Sequence, residues 1–294
     1  MKIKIFIISS LMIFIIINSS FGLTWKILHT QADDLDLNRA RQNLEDNPDS
    51  LEYLYVLGIV YFNEYQHLQA KKVFEKMQEL SPGLIEAQWG IAEVLRREYQ
   101  MEQSQNMLAA IIRQSPDFFP AYISLSYIKF NLKDYKEAVR LSEIVIRKGK
   151  QNADRHTLAR AYLIFAGAKG MIAYGGGPLS KFLNGTPVFT NIKRARTLMP
   201  DSAEVYYGLG SFYLLAPGIS GQDIDEAQKY LEKTIATDPN ITDAYVRLAQ
   251  VYKLKGDREK FNFYLNLALT KEPQNFLAND IKNNTCDFIC VEPE

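Results

Sequence analysis

The chain has 294 residues, 47% of them apolar and 23% charged, with 16 Gly and 11 Pro; this excludes a disordered, collagen-like or low-complexity protein. Its 34 Lys/Arg and 34 Asp/Glu cancel, so no global basic field is available to hold nucleic acid. Two Cys and three scattered His exclude a disulfide-dense scaffold and a four-thiolate centre, and neither a metal site nor a cofactor is expected.

Residues 1–22 read as a secretory signal. Lys2 and Lys4 form a basic start, Ile5 to Ile17 an apolar run broken only by Ser9 and Ser10, and Asn18 to Gly22 a small polar end. Ser20 and Gly22 stand at −3 and −1 of a cleavage after Gly22. The run is shorter than the roughly 20 apolar residues that cross a bilayer. An uncleaved N-terminal anchor and a buried helix are the alternatives. The expected location is therefore outside the cytoplasm, periplasmic or extracytoplasmic, with no membrane span once the signal is removed.

A period of 34 residues organises the rest of the chain. Pro48, Pro82 and Pro116 are spaced by 34, as are Pro239 and Pro273, and a period of that size marks a solenoid. Residues 23–50 read as a linker with a capping helix over Asp34 to Asp46. Units then run 51–84, 85–118, 119–152, 153–200, 201–239 and 240–274. In each, apolar residues three or four apart make one helical stripe. Small residues (Gly58, Ala92, Ser126, Gly210, Ala249) on the first helix face small residues (Ala70, Ser104, Ala138, Ala227) on the second, so the two approach closely. Proline after the second helix ends it, except in the third unit, where Lys150 takes its place. Two units carry insertions. In 153–200 a long helix, Asp154 to Ala173, leads into Gly175-Gly176-Gly177-Pro178, then Gly185-Thr186-Pro187, and the next helix is expected from about Val188 to Leu198. The other insertion is Ala216 to Asp223. Residues 276–294 read as a cap and tail.

This register resembles the tetratricopeptide repeat. Leu57, Gly58, Tyr61, Ala70, Phe74 and Pro82 match its pattern in the first unit; Tyr206, Leu209, Gly210, Tyr213, Ala227, Leu231 and Pro239 match in the fifth. The resemblance covers most of residues 34–275. It implies an all-α, right-handed superhelical solenoid of antiparallel helix pairs, about six units long, over 51–275. It also implies that the first helix of each unit lines an inner groove at unit positions 2, 5, 9, 12 and 13. On this chain those positions include Glu52, Tyr55, Ile59, Phe62 and Asn63, then Glu86, Trp89, Glu93, Arg96 and Arg97, then Ile123, Tyr127, Phe130 and Asn131, and later Glu204, Tyr207 and Ser211, then Asp243, Val246, Gln250 and Lys253. The expected partner-binding set is Glu52, Tyr55, Phe62, Asn63, Glu86, Trp89, Arg96, Arg97, Tyr127, Phe130, Asn131 and Tyr207. Aromatic side chains give large contact area at low entropic cost. The Lys and Asn of the family's carboxylate clamp are replaced by Tyr55, Ile59, Trp89 and Glu93, which argues against a chaperone-tail receptor.

Other motifs carry little chemistry. Gly175, Gly176 and Gly177 follow a helix rather than a strand and lack a phosphate-loop spacing, so they read as an inter-helix loop with φ > 0 turns, or as a ligand- or partner-contacting loop. His29, His67 and His156 are lone and expected at the surface or rim. No nucleophile–base motif is present, so no catalytic residue is assigned. Cys286 and Cys290 suit a small-loop disulfide in an exported protein, with free thiols or a metal or redox role as alternatives.

The expectation is a non-enzymatic exported repeat protein that binds a protein or peptide through its concave face, as a scaffold in a cell-envelope complex. The alternative rests on Leu214 to Asp223 with Glu226, Ala227, Tyr230 and Leu231. That segment resembles the accessory T component of tripartite ATP-independent periplasmic transporters, which implies a subunit of a solute-uptake system or a small-ligand carrier.

Overall fold

The computed structural model describes residues 25–218 and 221–285, with Phe288 and Val291. The signal segment 1–22 and both cysteines, Cys286 and Cys290, lie outside the described residues. Those described form fifteen α-helices and no strand.

Two short helices come first, α1 (Trp25–Asp33) and α2 (Leu37–Asp46). Six antiparallel pairs follow: α3 (Leu51–Asn63) with α4 (His67–Leu80), α5 (Ile85–Arg97) with α6 (Met101–Gln114), α7 (Phe119–Asn131) with α8 (Tyr135–Asn152), α9 (Arg155–Tyr174) with α10 (Pro178–Leu198), α11 (Ala203–Leu215) with α12 (Ile224–Thr237), and α13 (Thr242–Leu254) with α14 (Arg258–Lys271). A last helix, α15 (Phe276–Asn283), closes the stack. Polar side chains start several of them. Ser50, Asp134, Asp154, Asp223 and Asn275 each accept a hydrogen bond from a first-turn amide of α3, α8, α9, α12 and α15.

The small-residue positions explain the close pairing. A methyl on Gly58 would lie 2.4 Å from Phe74 Cζ, and one on Gly210 would lie 2.7 Å from Leu231 Cγ. Where serine replaces them it also ties the helices together. Ser104 Oγ donates to the Ala92 carbonyl at 2.7 Å, and Ser126 Oγ donates to the Ala138 carbonyl at 2.8 Å. Each pair buries its stripe against the next, so the core runs as a ribbon along the stack rather than as one centre.

The fourth pair departs from the sequence expectation. α10 begins at Pro178 and runs unbroken through Gly185, Thr186 and Pro187 to Leu198, rather than starting near Val188. Packing against α9 overrides the local breakers: Gly185 sits 3.8 Å from Ala173 Cβ and Gly170 sits 3.9 Å from Val188 Cγ2, measured from the methyl each lacks. Within α10, Thr186 Oγ1 donates to the Phe182 carbonyl and Asn191 Nδ2 to the Pro187 carbonyl. The loop is only Gly175–Gly177, and none of these glycines has positive φ. Gly176 is needed for a different reason, because a Cβ there would meet Ser180 Oγ at 2.3 Å. With 20 and 21 residues, α9 and α10 are the longest helices among the described residues, against the 13 and 14 of the first pair and the 18 of α8.

Candidate functional site

The turn between the two helices of a unit needs a left-handed residue, and here it recurs every 34 residues at Tyr65 (φ 57), Tyr99 (φ 61) and Lys133 (φ 64), and again at Gly256 (φ 74). Glycine takes this conformation freely and tyrosine does not. Both tyrosines reach across the superhelix. Tyr65 Oη donates to Asp238 Oδ2 at 2.9 Å, and Tyr99 Oη donates to Glu272 Oε1, each over a sequence separation of 173 residues. Tyr99 also packs on Phe276, with ring centroids 5.5 Å apart. Further along the rim, Phe130 meets Phe288 at 6.4 Å. Burial first, then the carboxylate partners, push the Tyr65 and Tyr99 hydroxyls well above the usual phenol range, so both remain donors at neutral pH.

This contact of early turns with late ones bounds the concave side as a half-open cavity of about 2360 Å³. Phe62, Asn63, Trp89, Arg96, Arg97, Tyr127, Phe130, Asn131 and Tyr207 all line it, as the register implied. Glu204, Ser211, Asp243, Phe212 and Tyr213 line it too, and Tyr174 and Phe182 of the fourth pair stand at its mouth.

Three residues of the expected set lie elsewhere. Glu52 is exposed outside the cavity, Glu86 is buried away from it, and Tyr55 has no accessible surface. Tyr55 is covered by α1, which folds back into the first part of the groove. His29 stacks on Tyr55 and shares a 2.7 Å hydrogen bond with its hydroxyl. Trp25 packs edge-on against Phe118 and Phe119. His29 Nδ1 lies 3.5 Å from Asp154 Oδ2, and His156 Nε2 lies 2.9 Å from Asp33 Oδ2. His29 and His156 therefore bridge α1 to the repeats instead of standing alone at the surface. A nine-residue helix before the first unit carries no repeat signature, so sequence reasoning missed it.

Charges are unevenly matched within the cavity. Arg96 grips Glu93 with Nε and Nη2 at 3.0 and 2.9 Å, and stacks over Tyr127 at 4.6 Å. Burial works against the Glu93 carboxylate, yet Arg96 and then Arg97 hold its pKa down to about 2. Arg160 places Nε and Nη2 on Glu204 Oε1 at 3.2 and 2.8 Å. Arg97 is left over. Its Nε is 3.7 Å from the Glu93 oxygen already taken by Arg96, and that nitrogen makes no hydrogen bond. Its Nη1 reaches only the Phe62 carbonyl, at 3.4 Å. The guanidinium lies over the Phe62 ring at 4.8 Å, and burial, then repulsion from Arg96, pull its pKa down to about 10. Arg247 resembles it. Only 7% exposed, it donates to Gln250 Oε1 at 2.7 Å, and its Nε has no partner. Asp243 accepts from Asn275 Nδ2 at 2.8 Å, and burial raises its pKa. Such an arrangement can bind aromatic and apolar groups with one or two anionic substituents. Among the described residues, no three His, Cys, Asp or Glu gather as a metal site requires.

Residues 242–275 match the family model of the tetratricopeptide repeat. No curated protein matches the sequence. Among solved structures, the chain is similar to the Cut9–Hcn1 hetero-tetramer of APC/C, with a TM-score of 0.57 and 16% identity. That alignment covers 88% of this chain but 48% of the other, so this chain spans about half its length. It is also similar to a tetratricopeptide repeat protein from Parabacteroides merdae, with a TM-score of 0.53 and 13% identity, covering 90% of this chain and all of that one.

Proposed function

We propose that this tetratricopeptide-repeat solenoid is a non-enzymatic binding protein whose half-open concave cavity takes a peptide segment of a partner protein in the cell envelope. The observation that carries the reading is the cavity itself. At about 2360 Å³ it is larger than the roughly 300–1,000 Å³ of small-molecule pockets. It is lined by Trp89, Tyr127, Phe130 and Tyr207, side chains suited to partner contact. Arg97 and Arg247 each keep a guanidinium Nε without a partner, so the segment should carry a carboxylate, and an acidic side chain beside an aromatic one would satisfy both features. Export rests on residues 1–22 as a signal, and the envelope location is proposed on that ground.

Titration with defined peptides tests this reading. Trp89 is 7% exposed and lines the cavity, so its emission reports occupancy. Acidic-aromatic peptides should alter it saturably, and Arg97→Gln should weaken them while leaving neutral peptides unchanged. Saturable binding that Arg97→Gln and Tyr127→Ala leave intact would sink the proposal.

One observation favours a second reading. Tyr174, Phe182, Phe212 and Tyr213 border the same cavity, which is walled on several sides, as a carrier of a bulky anionic small molecule would be. In that case, saturation with organic carboxylates would compete with the peptides.

A further inference from the structure

Between Asp154 and Asp201 the chain has no acidic residue, yet it holds seven Lys and Arg. The chain as a whole is neutral, so positive charge is concentrated in the fourth pair. Arg160 is neutralised by Glu204 in the cavity. Lys181, Lys193, Arg194 and Arg196 are exposed on α10.

Among the described residues, the same hairpin carries the largest group of exposed apolar side chains in one element. Leu179, Phe182 and Leu183 are 71%, 69% and 58% exposed, and Tyr174 across the glycine loop is 54% exposed. Their spacing, with Thr186, Thr190 and Lys193, follows one helical face of α10, a face turned away from α9 with its Phe182 and Thr186 edge also bordering the cavity. That face is apolar at its N-terminal end, hydroxylated in the middle and basic toward its C-terminal end. Isolated exposed apolar residues need no explanation, but a cluster at one end of a hairpin backed by cations does. Apolar residues with flanking Lys and Arg on a helix face are the pattern of interfacial membrane binding.

We infer that the outer face of the α9–α10 hairpin docks onto an anionic lipid bilayer, with the Leu179–Leu183 end entering the boundary between headgroups and acyl chains. Charge complementarity selects a bilayer. The basic stretch is continuous over 46 residues of sequence without one acidic residue to give it a fixed pattern, and a lipid surface answers charge without requiring one. Tyr174, Lys181 and Phe182 also rim the cavity, so docking would set the mouth of the cavity at the membrane surface. Among the described residues no helix is long and apolar enough to cross a membrane, and this surface docking needs none.

The test uses the full chain carrying Phe182→Trp, with vesicles of brominated phosphatidylcholine alone or mixed with phosphatidylglycerol. Wild type, with its native Trp25 and Trp89, supplies the background. The added tryptophan should shift to the blue and be quenched only when phosphatidylglycerol is present, and sodium chloride should reverse both changes. Adding Lys181→Glu, Lys193→Glu and Arg194→Glu should lower partitioning about 100-fold, with helicity by circular dichroism unchanged. If that variant does not fold, the salt titration alone decides. Three outcomes would overturn the inference: vesicle binding with the tip tryptophan unaltered, which places binding on another segment; quenching indifferent to charge and salt; or a blue shift that grows with protein concentration without lipid, which makes the face a contact between copies.

Discussion

Tyr65 and Asp238 belong to different ends of the repeat array, yet the phenol donates to the carboxylate at 2.9 Å. One repeat further on, Tyr99 does the same to Glu272. The acceptors are 34 residues apart, as are the donors. Each tyrosine occupies a left-handed position that costs about 1 kcal/mol or more for a residue with a Cβ, so the hydrogen bonds offset a local strain. Tyr65→Phe and Tyr99→Phe keep the ring and the strain and remove only the bond. Each should destabilise by about 1 kcal/mol, and the double variant should enlarge the radius of gyration in small-angle scattering. An unchanged radius would show that the ends stay together without them.

Phe74 is held between two glycines. A methyl on Gly58 would lie 2.4 Å from its Cζ, and one on Gly90 would lie 2.2 Å from its Cγ. Gly58→Ala and Gly90→Ala should each cost about 2–3 kcal/mol by overpacking, although alanine is the better helix former. Shortening the ring with Phe74→Leu should recover part of that loss. A double variant no more stable than the sum of its single changes would place the clash elsewhere, as urea denaturation would reveal.

Acid should unfold the chain in two stages. Burial first, then Arg97 and Arg96, lower the His67 pKa from 6.5 to about 4, against the opposite pull of Glu93 and Glu272. Between those values the unfolded chain binds the proton that the folded chain refuses, so stability falls as pH drops from about 6.5 toward 4. Glu93 and Glu204 are held down to about 2 by Arg96 and Arg160 respectively, against burial. Asp154 is held below the usual carboxylate range by His29 and Thr157, again against burial. Their stabilisation is complete above the unfolded carboxylate values of about 4 and is lost as pH falls through the folded ones. Urea midpoints should therefore decline gently below pH 6.5 and steeply below about 4. His67→Gln should remove only the gentle phase.

Arg97 is desolvated without a complete partner, so its removal should not harm the fold. Arg97 is half-buried, and its removal leaves Glu93 still paired with Arg96, so no carboxylate is left without a partner. Arg97→Gln should match or exceed wild type in thermal midpoint while losing carboxylate-dependent binding. Glu93→Gln should do the reverse and destabilise by about 3 kcal/mol or more, because it leaves both Arg96 and Arg97 unpaired in the interior. Melting curves of the two variants separate these outcomes.

The helix pairs were legible because their signals are local. Gly58 against Phe74, Ser104 against Ala92, and the prolines that follow α4, α6, α12 and α14 all express one pairing rule, repeated. Phe62, Trp89, Arg96, Tyr127 and Tyr207, at the register's groove positions, line the cavity wall. The register failed where the cause is not local. Tyr55 matches its groove position but is covered by His29 of α1, a helix outside the period. Gly185 and Pro187 look like breakers, and contact with α9 carries α10 through them. The pairing of Tyr65 with Asp238 depends on curvature accumulated over four intervening helix pairs. The sequence does hold a trace of it: tyrosine, twice, where the turn favours glycine.

An open stack of repeats behaves as a spring, stretching under load and fraying from its ends one unit at a time. Joined at Tyr65–Asp238 and Tyr99–Glu272, one turn of this coil becomes a hoop. Its terminal units cannot peel away independently, because each is fastened to a unit at the opposite end. A pull on the chain should meet stiff resistance and then give way in one large event, rather than in a staircase of small ones.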